Sequence, residues 1–273
     1  MSTLNLVPNE ALLRAEHLTL EYASERGAVR ALDDASFDVW RGDRFVLLGP
    51  SGCGKSTLLK AVGGFIQPHA GSLSLAGKPI SGPGPDRIVV FQEFDQLPPW
   101  KTVKQNVMFP MRSSGVKRPQ AEERARHWLG KVGLADFADA YPHTLSVGMK
   151  ARVAIARALA MQPAILLMDE PFAALDALTR RSMQEQLQSL WDDSGFTMLF
   201  VTHSIEEALV VGNRILLLSP HPGRVRAELN SHQFSLQSAG SREFQAASSR
   251  IHDLLFGGDG AALAIEQAVA VQP

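Results

Sequence analysis

The chain has little cysteine, almost no net charge and no long apolar run. Cys53 is its single cysteine, which excludes an intrachain disulfide and favours a reducing compartment. No stretch reaches the roughly 18 apolar residues of a membrane span, and the first residues lack the charged and apolar blocks of a signal peptide. A formal net charge of -1 argues against wholesale nucleic-acid binding. We therefore expect a cytoplasmic globular protein.

The composition and the pattern of the chain predict an α/β fold. With 273 residues, 45% of them hydrophobic and 20% charged, the chain is large enough for one large or two small domains. Residues 12–22 and 35–40 read as strands, with a polar loop over 24–30 between them. From Phe45 onwards apolar strands alternate with helical patterns, which predicts a parallel sheet covered on both faces.

Six helices are predicted from periodicity and from residues typical of helix starts. Two of them have buried faces marked by Leu58, Leu59 and Val62 and by Met183, Leu187, Leu190 and Trp191. Another begins at Pro119, one runs from about Ser146 to Met161, and one opens at Ser204. Residues 241–256 predict a further helix near the end of the chain. The tail beyond it is rich in Gly, Ala and Gln, and we predict that it is frayed, like residues 1–10.

A glycine-rich loop between a strand and a helix is the most informative stretch of the sequence. It reads Gly49-Pro50-Ser51-Gly52-Cys53-Gly54-Lys55-Ser56-Thr57 and follows an apolar strand. Glycines let successive backbone N–H groups surround a phosphate, and the helix that follows directs its positive end at the same anion. Lys55 is placed to reach the β- and γ-phosphates, and the Ser56 hydroxyl to ligate Mg²⁺. The loop therefore predicts a binding site for the phosphates of a nucleotide.

A second apolar strand ends in two neighbouring carboxylates. Residues 164–168 are all apolar and are followed by Asp169 and Glu170. At the carboxyl end of a strand Asp169 is suited to hold Mg²⁺, directly or through water. Glu170 is suited to polarise the water that attacks the γ-phosphate. Together with the glycine-rich loop, these residues predict a nucleotide hydrolase.

Four more motifs lie in a fixed order around these two. They are Gln92 after the strand at residues 88–91, the segment Leu145-Ser146-Val147-Gly148-Met149, Ala174-Leu175-Asp176, and His203 after the strand at residues 196–201. With this set, residues 12–226 resemble the ATP-binding cassette subunits of ABC transporters. The resemblance implies a P-loop NTPase cassette with a parallel core sheet, an N-terminal antiparallel β subdomain and an α-helical signature subdomain.

The same resemblance implies a role for each matching residue. Gly49 to Thr57 corresponds to the Walker A loop and Asp169 to the magnesium-binding end of Walker B. Glu170 corresponds to the catalytic base, His203 to the switch histidine at the γ-phosphate, and Gln92 to the glutamine that senses Mg²⁺ and the membrane partner. Tyr22 matches the aromatic residue under the adenine, and Asp176 the D-loop aspartate. Ser146 and Gly148 would contact the ATP of a second copy, so that two ATPs lie at a head-to-tail dimer interface.

The resemblance also implies partners and a place in the cell. They are a second ATPase subunit, integral-membrane permease subunits and, indirectly, a solute-binding protein outside the membrane, with no nucleic acid. We expect the chain on the inner face of the cell membrane, docked through an apolar patch at Leu97, Pro98, Pro99 and Trp100. The segment 219–224, Ser-Pro-His-Pro-Gly-Arg, is among the features that resemble importers for nitrate, sulfonates and taurine.

Three residues depart from the family pattern, and two other functions compete. Val147 replaces the first glycine of the signature, Met149 its glutamine and Ala173 the D-loop serine. We expect Val147 to loosen the ATP-bound dimer without abolishing it. A DNA-linked ABC ATPase would need a coiled-coil insertion, yet residues 58–144 carry no sustained heptads. A plain phosphate-loop kinase would lack the signature and His203.

The domain organisation follows from the positions of these motifs. We predict a loose N-terminus over residues 1–10 and an ABC ATPase domain over 11–230. Within that domain the helical subdomain is expected over about 93–160, and residues 231–273 form a C-terminal extension with one helix.

Overall fold

The computed structural model describes residues 11–24, 27–91 and 96–257. Ten strands and seven α-helices lie within these ranges. The strands are β1 (Leu13–Ser24), β2 (Gly27–Val39), β3 (Arg44–Leu48), β4 (Ala70–Leu75), β5 (Lys78–Pro79), β6 (Arg87–Val90), β7 (Ile165–Asp169), β8 (Met198–Thr202), β9 (Arg214–Leu218) and β10 (Val225–Asn230). The helices are α1 (Lys55–Val62), α2 (Val103–Ser113), α3 (Arg118–Lys131), α4 (Val147–Ala160), α5 (Ala177–Ser194), α6 (Ile205–Val211) and α7 (Arg242–Phe256). The frayed termini predicted from sequence, and Gln92, lie outside the described residues.

The strands form two sheets, one of which is wholly antiparallel. Its order is β2-β1-β4-β5. The predicted polar loop over 24–30 is wrong for its second half, because β2 already begins at Gly27 and Tyr22 pairs with Val29. In this part of β2, Gly27, Ala28 and Arg30 are exposed and Val29 is only half-buried, so the alternation that marks a half-buried strand is weak there.

The second sheet has six strands in the order β10-β9-β3-β8-β7-β6. The predicted parallel arrangement is confirmed for β3 with β9 and for β6 with β7. The edge strand β10 pairs antiparallel with β9 and was not predicted. It alternates Arg, Glu and Asn with small apolar residues and is at most half-buried, so it lacks the apolar run of a core strand.

Buried apolar runs and capping residues explain most of the element boundaries. The interior strands of the six-stranded sheet are largely buried, as expected for strands covered on both faces. Fully buried examples are Phe45, Leu48, Leu166 and Phe200. The predicted helix starts after Ser146, Ser204 and Ser241 are confirmed, since each serine side chain accepts a hydrogen bond from a backbone N–H three residues on.

Helix α2 was not predicted. It begins after Thr102, which forms a reciprocal capping box with Gln105, and it contains Pro110 close to its end. The prolines that precede and interrupt this segment hid a helix whose first turn is well capped.

The chain divides into two compact units, Met1–Gly82 with Val201–Pro273, and Pro83–Phe200. The first unit holds the antiparallel sheet, the glycine-rich loop and the described part of the C-terminal extension. Four of the helices, α2 to α5, lie in the second unit, which contains the whole of the predicted helical subdomain.

Candidate functional site

The glycine-rich loop joins β3 to α1, as predicted, and two of its residues need glycine for conformational reasons. Gly52 has φ +81° and Gly54 has φ +96°, in the left-handed region that side chains disfavour. Gly54 is also the N-cap of α1 and has no side chain to cap the helix. The positive N-terminal end of α1 is therefore not capped by its N-cap residue, which suits an anionic ligand.

Lys55 is buried inside the loop and not extended into solvent. Its Nζ donates hydrogen bonds to the carbonyl oxygens of Gly49, at 2.7 Å, and Pro50, at 2.9 Å. These two carbonyls hold a positive charge among the backbone N–H groups of the loop. The site consists of backbone groups and one cation, and a Cβ at Gly54 would have little room. Loop and lysine together therefore fit the phosphates of a nucleotide.

Cys53 packs into the same loop as a small apolar side chain. It is fully buried, and a Cβ on Gly49 would lie 2.8 Å from its Sγ. Burial raises the pKa of the Cys53 thiol, which favours its neutral form and fits a packing role.

Tyr22 lies in the hairpin of the antiparallel sheet, and the residue is 45% exposed. Tyr22 pairs with Val29 of β2, and Ala31 lies two residues further along the same strand. The Ala31 carbonyl oxygen would lie 2.5 Å from a Cβ on Gly54, so β2 contacts the glycine-rich loop directly. The exposure of Tyr22 and the connection through β2 are compatible with the predicted stacking on adenine.

Asp169 and Glu170 lie at the carboxyl end of β7, as predicted. Asp169 is the last residue of the strand and is half-buried. Glu170 has φ +44°, a left-handed backbone conformation that costs free energy for any residue with a side chain. Its carbonyl oxygen accepts a hydrogen bond from the Ala173 N–H at 3.1 Å, which stabilises the turn. Such strain at a predicted catalytic residue was not visible in the sequence and is typical of functional sites.

The signature segment opens α4 in the predicted manner. The Ser146 side chain accepts a hydrogen bond from the Met149 N–H at 3.2 Å and caps the helix. Val147 is the first helical residue and is 48% exposed, whereas Gly148 is buried. A Cβ on Gly148 would lie 2.8 Å from Cγ2 of Thr179, so glycine is required here for close packing of α4 against α5.

Asp176 caps the neighbouring helix α5. Its carboxylate accepts hydrogen bonds from the N–H groups of Leu178 and Thr179 and from the Thr179 hydroxyl at 2.6 Å. The hydrogen bonds from Thr179, hydroxyl first and backbone second, hold the pKa of Asp176 below its usual range. Thr179 therefore joins the signature glycine to the D-loop aspartate, a role that sequence reasoning missed.

His203 follows β8 and is exposed at the start of α6. Thr202 accepts a hydrogen bond from the Ser204 N–H, and Ser204 caps α6, so the histidine lies between two residues fixed by hydrogen bonds. Gln92, the other predicted sensor, lies outside the described residues. Over residues 11–24, 27–91 and 96–257 there is no cluster of three or more His, Cys, Asp or Glu side chains suited to a metal.

The predicted apolar patch at residues 97–100 needs one correction. Leu97 is buried, at 3% exposure, and belongs to the core, whereas Trp100 is 74% exposed. The side chain of buried Asn106 donates to the carbonyls of Pro98, Lys101 and Thr102, which fixes the segment that follows Leu97. Phe109, 46% exposed with the Lys101 ammonium 4.8 Å from its ring centre, takes the place of Leu97 on the surface.

Comparison with protein families identifies the class. Residues 32–173 match the family model described as ABC transporter. The chain is 50% identical to the taurine import ATP-binding protein TauB of Rhizobium johnstonii over 220 residues, which cover 80% of this chain and 84% of that protein. It is 45% identical to TauB of Burkholderia thailandensis over 239 residues, 88% of this chain and 91% of that protein.

Solved structures agree with the sequence comparison. The cbiO1 subunit of the ABC transporter complex cbiONQ from Clostridium perfringens superposes with a TM-score of 0.75 at 27% identity, covering 93% of this chain and 99% of that one. The dimeric bacterial ABC transporter cassette MJ0796 superposes with a TM-score of 0.70 at 31% identity, covering 81% and 100%. A post-hydrolysis state of the same cassette was solved with ADP and Pi bound.

The chain belongs to the ABC transporter family. It is an ATP-binding cassette that hydrolyses ATP to drive membrane transport. None of the helices over residues 11–24, 27–91 and 96–257 combines the length and apolar character of a membrane span.

Proposed function

We propose that this chain is the ATPase subunit of an importer for taurine or a closely related sulfonate. The names of the relatives that are 45–50% identical over most of the chain support the solute. The observation that carries the function is the Thr179 contact, in which the Ser146-capped helix carrying the signature packs on the Asp176-capped helix of the D-loop. A plain phosphate-loop kinase has no need of this pair of helices.

The roles of the site residues are part of the same proposal. Gly49 to Thr57 bind the phosphates of ATP, Tyr22 stacks on the adenine, and Lys55 neutralises the β- and γ-phosphates. Glu170 accepts a proton from the attacking water, and His203 and Gln92 respond to the γ-phosphate. These assignments are supported by the matching motifs, by the exposure of Tyr22 and His203, and by the left-handed backbone of Glu170.

Mg²⁺ is proposed as the cofactor that accompanies ATP. Ser56 and Asp169 would hold it, with Gln92 as a further ligand, since hydroxyl, amide and carboxylate oxygens are the donors that Mg²⁺ prefers. When bound, the ion would neutralise negative charge on the phosphates. Ser56 is the second residue of α1, and Asp169 is held at the end of a buried strand, so both side chains have fixed backbone positions.

A second copy of the chain is proposed to complete each site. Ser146 and Gly148 would contact the ATP bound by the partner, and Asp176 would lie at the interface between copies. The solved dimer of a similar cassette supports this arrangement. Exposure of Val147 at 48% and of Leu178 at 83%, both apolar and next to the helix caps, is consistent with a surface covered in the dimer.

Permease subunits are proposed to bind the docking surface, which we define as Pro98, Pro99, Trp100, Lys101 and Phe109. The surface presents apolar rings beside a groove of about 460 Å³. Four basic side chains and two acidic ones line this groove: Lys101, Lys104, Arg112, Arg118, Glu122 and Asp139. The excess of positive charge favours a permease segment that combines apolar and acidic side chains. Binding there would place the chain on the cytoplasmic face of the membrane, with a solute-binding protein on the other side.

Co-purification followed by uptake tests the proposed function. The tagged chain is purified from detergent-extracted membranes and its partners are identified by mass spectrometry. Uptake of labelled taurine is then measured in cells that carry the wild-type chain or Lys55→Ala. Lys60→Ala, an exposed lysine on the same helix, is the matched control.

We expect recovery of two permease subunits, and taurine uptake that is lost in Lys55→Ala and retained in Lys60→Ala. Uptake of nitrate or a longer sulfonate in place of taurine would change the proposed solute but not the class of protein, an importer ATPase. Recovery of DNA with the chain and no membrane protein would favour the DNA-linked alternative, which the comparisons do not support.

A further inference from the structure

The turn between β9 and β10 has a rigid internal structure that the proposed function does not use. Ser219 Oγ donates to the carbonyls of Pro220 and Pro222, at 3.1 and 3.2 Å, and accepts from the Arg224 N–H at 2.9 Å. The Ser219 N–H also donates to the Arg224 carbonyl at 2.9 Å. The backbone and the side chain of Ser219 therefore both hold the turn over residues 219–224 together.

This turn is also fastened to β2. The Gly223 N–H donates to the Ala31 carbonyl at 3.0 Å, and the Asp33 N–H donates back to the Gly223 carbonyl at 2.9 Å. The Arg224 guanidinium forms an ion pair with the Asp33 carboxylate. Two backbone hydrogen bonds and one ion pair leave Gly223 little freedom to move away from β2.

Gly223 touches the glycine-rich loop. A Cβ on Gly223 would lie 2.1 Å from the Cys53 carbonyl oxygen, a distance at which atoms overlap. The backbone of Gly223 does not have a positive φ, so glycine is required here for space and not for conformation. The contact is therefore specific: any larger residue must push the turn or the Cys53 carbonyl aside.

The peptide unit between Cys53 and Gly54 is thus contacted at both ends. Gly223 lies against the Cys53 carbonyl, and the Ala31 carbonyl lies against Gly54, where a Cβ would be 2.5 Å away. A trans peptide is planar, with its C=O and N–H pointing in opposite directions. A neighbour that fixes the Cys53 carbonyl consequently fixes the direction of the Gly54 N–H, one of the donors that such loops direct at a phosphate.

We propose that Gly223 is a positioning residue for nucleotide binding, which holds the Cys53–Gly54 peptide so that the Gly54 N–H faces the phosphates. This proposal rests on the nucleotide site proposed above. It assigns a task to the 219–224 turn, which contacts the loop next to Ala31 and acts on the nucleotide only through the loop.

The test compares Gly223→Ala with Gly82→Ala. Gly82 lies in the same unit, has open space where a Cβ would be added and has no positive φ, so its substitution adds the same methyl group without a clash. Binding of ADP and of ATP is measured by titration calorimetry on folded protein, and KM and kcat are measured separately. Hydrogen exchange of the peptide covering residues 49–57 reports on the loop without nucleotide.

The expected result for Gly223→Ala is about tenfold weaker binding of ADP and ATP, faster exchange in the loop, and a raised KM with kcat within about twofold of wild type. Gly82→Ala should bind as wild type does. If Gly223→Ala binds nucleotide within about twofold of Gly82→Ala, the positioning role is overturned.

Arg224→Ala covers the case in which Gly223→Ala does not fold. It removes the ion pair to Asp33 without adding atoms, and about threefold weaker binding is expected; unchanged binding would overturn the proposal. Lys55→Ala separates this proposal from the proposed function. Wild-type protein that binds no nucleotide contradicts the site itself, whereas binding that depends on Lys55 but not on Gly223 contradicts the positioning role alone.

Discussion

Gly148 and Thr179 pack so closely that a single methyl group on the glycine would lie 2.8 Å from the threonine Cγ2. Thr179 cannot rotate out of the way without cost, because its hydroxyl donates a hydrogen bond to Asp176 at 2.6 Å. The signature helix and the D-loop helix are therefore linked by one side chain. A side chain added at Gly148 would therefore disturb the Thr179 hydrogen bond to the Asp176 cap.

Gly148→Ala should disrupt this link. We expect a loss of about 1–3 kcal/mol in the free energy of unfolding, from overpacking and from loss of the Asp176 cap. Urea denaturation measures it. Gly130→Ala is the control, since Gly130 lies in α3 with open space around it and should gain up to about 1 kcal/mol in helix propensity. Equal stability of the two variants would show that α4 and α5 separate freely here.

Glu170→Gln should retain ATP binding and lose turnover. A missing general base costs about 10²–10⁴-fold in rate, whereas the amide keeps the size of the side chain. ATP affinity by calorimetry and steady-state ATPase rates distinguish the two effects. Glu185→Gln, an exposed glutamate on α5, is the control. Wild-type turnover in Glu170→Gln would remove this residue from the catalytic step.

Val147→Gly should tighten the ATP-dependent dimer by up to about tenfold. Val147 is exposed next to the Ser146 cap, where its branched side chain opposes close approach of a second copy, while its N–H is kept. The dimer fraction against ATP concentration is measured in the Glu170→Gln background. Val147→Ala removes the branched side chain but keeps helix propensity. Its dimer affinity should lie between those of wild type and Val147→Gly. A weaker dimer with glycine would mean that valine makes a favourable contact with the partner.

Asp176 should make stability depend on pH in the acid range. Its folded pKa is lowered below the ordinary 3.8 by the hydrogen bonds from Thr179. A carboxylate with a depressed folded pKa stabilises the fold above its unfolded pKa, and the contribution is lost as the pH falls through the folded value. The difference in unfolding free energy between wild type and Asp176→Asn should therefore be present at pH 7 and shrink below pH 3.8. If the difference in unfolding free energy stays constant across this range, the stabilising effect of Asp176 comes from the shape of its side chain and not from its charge.

Local patterns predicted the parts of the fold that are held by local forces. The loop before α1, the serine caps and the buried strands each carry their signal in a few adjacent residues, and all were confirmed. The strand β10 and the helix α2 were missed, since one lies at a sheet edge with polar side chains and the other is preceded and interrupted by prolines.

The contacts that connect distant segments had no signal in the sequence. Thr179 is one exposed-looking threonine in a helix, and only packing shows that it joins Gly148 to Asp176. Leu97 looked like surface because it neighbours two prolines and a tryptophan, yet it is buried in the fold, and Asn106 holds the residues that follow it. Non-local contacts of this kind are set by the fold as a whole.

The edge strand β10 bears on the solubility of the protein. An unpaired strand edge invites association with other chains unless it is charged or covered. Here Glu228 pairs with Arg214, and the Arg226 guanidinium donates to the Leu254 carbonyl at 2.8 Å, near the end of α7. The C-terminal helix is thereby tied to the strand at the edge of the sheet. A chain cut after Asn230 should keep the nucleotide loop yet aggregate on warming, which light scattering would detect, whereas a cut after Gly257 should remain monodisperse.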